Sequence, residues 1–158
     1  MKFLLFLITL LLYSNFINAQ IIATDRFEST TLENQMEIFG DSSKSLTIRD
    51  IISRKPSLAF KTSNTKFPNY KNDHTPRWIH FKIVNPQSRI IPIYVRIRNP
   101  FIDTIAFYLI RKDSIISQLL FTRDMPYYAR QSHSANPTGV FYLKKGERSE
   151  ERRVGKEC

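Results

Sequence analysis

Trp78, His80, Tyr94, Arg96, Arg98 and Tyr108 are the residues of this chain best suited to holding another molecule. A flat aromatic ring stacks on the C–H face of a sugar, and a forked guanidinium donates to hydroxyls or carboxylates. The six fall at alternate positions within three apolar stretches, 77–85 (RWIHFKIVN), 90–99 (IIPIYVRIRN) and 103–111 (DTIAFYLIR). If those stretches are neighbouring strands, the six share one aromatic, basic face, a platform for a glycan or small molecule. The alternative is that Trp78 and Tyr108 pack beneath the N-terminal segment while the arginines are merely solvated. Tyr127, Tyr128 and Arg130, which follow Pro126, form a second candidate lip.

Catalytic and metal chemistry find little material. The histidines, His74, His80 and His133, show no metal-ligand spacing such as a His pair with a nearby Glu. Asp103 and Asp124 sit beside turns, where Asp more often bonds its own backbone. With four glycines in the chain, no phosphate-cradling loop is evident, nor any Ser/His/Asp arrangement. The expectation is a non-enzymatic protein with no cofactor and no metal.

The elements that would carry these residues read as strands. In 77–85, Ile79, Phe81 and Ile83 share one face and Trp78, His80 and Lys82 the other. In 90–99, Ile91, Ile93, Val95 and Ile97 oppose Tyr94, Arg96 and Arg98; in 103–111, Ile105, Phe107 and Leu109 oppose Ala106, Tyr108 and Ile110. Stretches 114–122 (SIISQLLFT) and 138–144 (TGVFYLK) extend the series. Short strands at this spacing predict an all-β sandwich, each strand having one buried and one less buried face. Asn85, Asn99, Pro100 and Asp103 punctuate it as turn residues. One short helix is expected near 47–53, with Thr47 capping and Asp50 three residues on, ended before Pro56. The segment 55–75 reads as a polar connection or edge.

Both ends stand apart. Lys2, the 11-residue apolar run Phe3–Tyr13 and the small residue Ala19 before Gln20 match a secretory signal peptide, 1–19. The run is too short for a spanning helix, which needs about 20 apolar residues. At the other end, Arg148–Cys158 (RSEERRVGKEC) has dense charge and no apolar periodicity. It reads either as the translation of a sequencing-adapter oligonucleotide, a non-native tail, or as an ordinary solvated terminus. On the first reading the only cysteine, Cys158, is not authentic and the protein continues past Glu147. The domains are then a lead-in at 20–34 and a β-sandwich at 35–147, incomplete at its C-terminus, with an unpaired edge. The net charge of +10 suits anionic surfaces, glycans or head groups. No nucleic-acid module is recognisable, and export disfavours such a partner.

Trp78-Ile79-His80-Phe81-Lys82-Ile83-Val84-Asn85, Asn99-Pro100-Phe101-Ile102-Asp103, Tyr108, and Asp124-Met125-Pro126 with Arg130 form an ordered set, preceded by Ser45–Ile51. Over roughly 35–145 this set resembles the second type of extracellular domain of bacterial seven-transmembrane receptors with diverse intracellular signalling modules. The resemblance implies a jelly-roll-like sandwich akin to carbohydrate-binding modules, placed in the periplasm ahead of seven membrane helices. It further implies a ligand-sensing role, the parent sitting in the inner membrane. The membrane helices and output modules of that family are not in this sequence. A secreted carbohydrate-binding module of a larger exported enzyme or adhesion protein is the alternative.

Overall fold

Alternation of β-branched and aromatic residues with polar ones drives most of the chain into strands. The computed structural model describes residues 21–23, 29–54, 57–65, 75–145 and, as backbone, 148–156. The expected signal peptide and His74 lie outside the described residues. In chain order the elements are β1 (Ile21–Ile22), β2 (Met36–Gly40), α1 (Ile48–Arg54), β3 (Lys61–Thr62), β4 (Arg77–Val84), β5 (Ile91–Arg96), β6 (Thr104–Arg111), β7 (Ser114–Thr122), β8 (Thr138–Leu143) and β9 (Arg148–Lys156). The fold is an all-β sandwich with one short α-helix. A seven-stranded sheet runs β3-β2-β4-β9-β6-β7, with β1 parallel to β4 beyond the end of β2. A two-stranded antiparallel sheet, β5-β8, forms the second layer.

The main core lies between the layers. Phe81 and Ile83 from β4 and Ile105, Phe107 and Leu109 from β6 meet Ile91 and Val95 of β5 and Phe141 and Leu143 of β8. Gly139 makes this close approach possible: a Cβ there would stand 3.0 Å from Phe107 Cγ and Cδ1 and from Phe141 Cε2. Alternation predicts that β4 and β6 bury one face each. They bury both, because α1 and its lead-in cover the other side. Thr47 and Asp50 cap α1 reciprocally: the Asp50 N–H donates to Thr47 Oγ1 (3.3 Å) and the Thr47 N–H to Asp50 Oδ2 (2.9 Å). That cap aims Ile51 into a second cluster with Trp78, Tyr108 and Ile110.

Upstream of the helix, Asp41 folds the turn that leads into it. Its Oδ1 accepts from the Ser43 N–H (3.0 Å), the Ser43 hydroxyl (2.5 Å) and the Lys44 N–H (3.1 Å), and its Oδ2 from the Leu46 N–H (3.0 Å). Burial raises the pKa of this carboxyl, but the Ser43 hydroxyl and the three backbone donors outweigh burial and leave it below the ordinary value.

The segment from Arg148 has dense charge and no apolar periodicity, yet backbone 148–156 lies inside the large sheet, antiparallel to β4 on one side and β6 on the other. The physical reason is backbone satisfaction: β4 and β6 face each other across the width of one strand, and an extended segment there satisfies both rows of polar groups.

Candidate functional site

The six candidate residues do not assemble into one platform, because β4 and β6 belong to one sheet and β5 to the other. Trp78, His80 and Tyr108 form a buried group on the helix-covered side. Trp78 and His80 are each 2% exposed. His80 Nδ1 lies 2.7 Å from Glu37 Oε2, a hydrogen bond across the β2–β4 pairing. The Phe60 ring meets the imidazole edge-on, with centroids 6.3 Å apart. Burial raises the pKa of the Tyr108 phenol. Trp78 Nε1 is buried with no acceptor among the described residues. A cleft of about 340 Å³ opens beside this group, lined by Leu46, Ile48, Trp78, Ala106 and Tyr108 among others. Packing beneath the N-terminal segment is therefore the role of Trp78 and Tyr108.

The exposed half of the set sits on the other layer. Tyr94 is 53% exposed, and Arg96 and Arg98 also face solvent. β5 pairs with β8 so that Tyr94 stands opposite Val140 and Pro92 opposite Tyr142. Tyr142, 66% exposed, is thus the diagonal neighbour of Tyr94 on the outward side of the small sheet. The sequence reading missed Tyr142. Its signal lies in 138–144, where Tyr142 alternates with Phe141 and Leu143, a stretch whose two faces the sequence reading leaves unsorted. Tyr94, Tyr142 and Arg96 form an open, flat, aromatic and basic surface.

The second candidate lip is bound up with its own loop. Arg130 Nε donates to Met125 O (3.1 Å), Nη1 to Ser134 O (3.2 Å) and Nη2 to Arg123 O (3.4 Å), and the guanidinium lies 5.0 Å from the Phe121 ring centroid. Three carbonyls and a ring hold this fork, so Arg130 shapes the loop from within. The Tyr127 hydroxyl donates to His133 O (3.1 Å), while Tyr128 is exposed. The loop roofs a cleft of about 190 Å³ against Phe107, Phe121 and Thr138.

The turn residues do structural work. Asn85 is fully buried; its Nδ2 donates to Arg89 O and Leu143 O (both 2.8 Å) and more weakly to Lys144 O (3.2 Å). Its Oδ1 accepts from the Gln87 N–H (2.9 Å). One side chain thus ties the end of β4 to the end of β8, joining the two layers. Asn99 Oδ1 accepts from the Phe101 N–H (3.0 Å) beside Pro100. Asp103 forms an ion pair with Arg123, whose guanidinium also donates to Phe101 O (2.9 Å).

The two-layer β-sandwich thus has a helix-covered back on its large sheet and an open aromatic patch on its small one. The sequence matches the family 7TMR-DISM extracellular 2 over residues 33–152, and the chain belongs to that family. It is therefore an extracellular sensor-type domain of seven-transmembrane receptors. The match runs past Glu147 to Arg152, into the segment read as a tail. No curated protein matches the chain. Among the described residues, no helix is long and apolar enough to cross a membrane, and no group of three His, Cys, Asp or Glu could hold a metal ion.

Proposed function

We propose that this chain is the periplasmic ligand-sensing domain of a bacterial seven-transmembrane signalling receptor, and that its ligand is a glycan or a small sugar-like molecule. The membrane helices and the output module follow in the parent protein, which resides in the inner membrane. The observation that carries the reading, given the family, is the Tyr94–Tyr142 pair with Arg96 on the outward side of the β5-β8 sheet. Two exposed phenol rings on paired strands offer stacking faces for sugar C–H groups, and Arg96 supplies a forked donor for hydroxyl or carboxylate groups. Binding there favours one orientation of the domain relative to the membrane bundle, and a signal follows only if affinity differs between the two orientations. The role is recognition without catalysis.

A panel of neutral and acidic glycans titrated against the full chain tests the proposal. Binding of at least one class is expected, weakened about tenfold or more when Tyr94→Ala and Tyr142→Ala are combined, the ring contributions being on the order of 1 kcal/mol each. Silence across the panel, or binding indifferent to both substitutions, would refute it.

A further inference from the structure

The two segments that build the small sheet are of one sign. Residues 86–100, which hold β5, and 131–145, which hold β8, contain Arg89, Arg96, Arg98, Lys144 and Lys145 and neither Asp nor Glu, although the chain carries 14 acidic residues. All of these cations are exposed. Their positions bracket the two rings. Arg96 stands two residues along β5 from Tyr94 on the outward side, about 7 Å away by strand rise, and Arg98 follows just past the strand end. At the opposite end Leu143 pairs with Ile91, Lys144 and Lys145 follow directly, and Arg89 precedes β5. From the Ile91–Leu143 pair to the Arg96–Thr138 pair the sheet runs about 17 Å. Cations thus lie at both ends of a strip whose middle is Tyr94 and Tyr142.

A surface of one sign concentrates ions of the other. A neutral sugar would use the rings and leave this charge without a counterpart. Arg89, Arg98 and Lys144 already interact within the chain, whereas Arg96 makes no hydrogen bond or ion pair among the described residues, so its whole fork is open to a ligand. That planar fork matches the two oxygens of a carboxylate, and the phenol rings match C–H faces.

We propose that the ligand is an acidic glycan, an oligosaccharide several rings long whose uronic-acid carboxylates meet Arg96 and the flanking cations while its sugar faces stack on Tyr94 and Tyr142. This rests on the glycan reading of the same face and adds to it the charge of the ligand.

The probes are uronic-acid oligosaccharides of gluco, manno and galacto configuration, each paired with its carboxyl-reduced, neutral counterpart, titrated against the full chain by calorimetry. At least one acidic member is expected to bind about tenfold or more tighter than its neutral counterpart. Its affinity should fall steeply on raising the salt to about 1 M, where charges beyond about 3 Å are screened. Arg96→Gln should remove most of that preference, leaving binding of the neutral form unchanged. Polyglutamate, which has the charge without the rings, should bind at least about tenfold more weakly. Equal binding of an acidic and a neutral partner, or a preference that Arg96→Gln does not diminish, overturns this inference and leaves the glycan reading standing. Polyglutamate binding as tight as the sugars, or binding of no glycan of either kind, overturns both.

Discussion

Replacing Asn85 should reveal how strongly the two layers depend on one side chain. Asn85→Ala removes two short hydrogen bonds to Arg89 O and Leu143 O and the acceptor of the Gln87 N–H, in a site closed to water. With roughly 1 kcal/mol lost for each buried group left unsatisfied, the cost is about 3 kcal/mol. In a domain of this size that lowers the melting midpoint by about 10 °C. Asn85→Asp is the sharper perturbation, because it keeps the shape and sets a carboxylate oxygen against two carbonyls. At neutral pH it should cost more than the alanine variant, since the charge has no donor to replace the lost Nδ2 contacts. The buried carboxyl that this substitution introduces would have a folded-state pKa above its unfolded value, so its neutral form is the tolerated one. The aspartate variant therefore recovers stability as pH falls and loses it as pH rises toward and through the folded value. Urea unfolding of the parent and both variants across the acidic range measures this. An alanine variant within about 0.5 kcal/mol of the parent, or an aspartate variant with no recovery in acid (after the parent's own pH dependence is subtracted), would refute the reasoning.

Three further outcomes follow from the geometry. Gly139→Ala should destabilise by about 1–3 kcal/mol, measured by thermal melting, because its Cβ presses on the Phe107 and Phe141 rings at 3.0 Å. Asp41→Asn should cost about 1–2 kcal/mol near neutral pH, since an amide cannot accept on both atoms from Ser43, Lys44 and Leu46. Because the Asp41 pKa is lowered, its stabilisation is complete above the unfolded value of 3.8 and disappears as pH falls through the lower folded value, so parent and variant should converge in strong acid. Lys112 and Asp113 join β6 to β7 with φ of 46° and 60°, a left-handed pair that favours Asn-Gly. Lys112→Asn with Asp113→Gly should stabilise by about 1 kcal/mol, read as a higher urea midpoint.

The sequence announced β4 to β8 and α1 nearly to the residue, because each carries a strong local signal: period-two alternation, the Thr47–Asp50 cap, or a break at Asn85 or Asn99. β1 and β3 carry no such signal. They are two residues long and exist as strands only through pairing with β4 and β2. β9 was illegible for a different reason, since its composition argues against the place its backbone takes. Face assignments along single strands held: Phe81 and Phe107 are buried toward the small sheet, and Tyr94 and Arg96 point to solvent. Adjacency did not. β4 and β5 follow each other in the chain yet lie in different layers, so alternation could sort each strand's residues without showing that Trp78 and Tyr94 are on opposite sides of the core. Arg130 likewise looked like a free donor because the carbonyls of Arg123, Met125 and Ser134 that hold it belong to a loop with no periodic pattern.

The order of strands in the large sheet has a kinetic side. β2 and β4 can pair early, as can β6 and β7 through their tight turn, but within the large sheet these two halves are joined only by their pairing with β9. Until β9 pairs, the facing edges of β4 and β6 stay open. Closure of so distant a contact is slow relative to local hairpins.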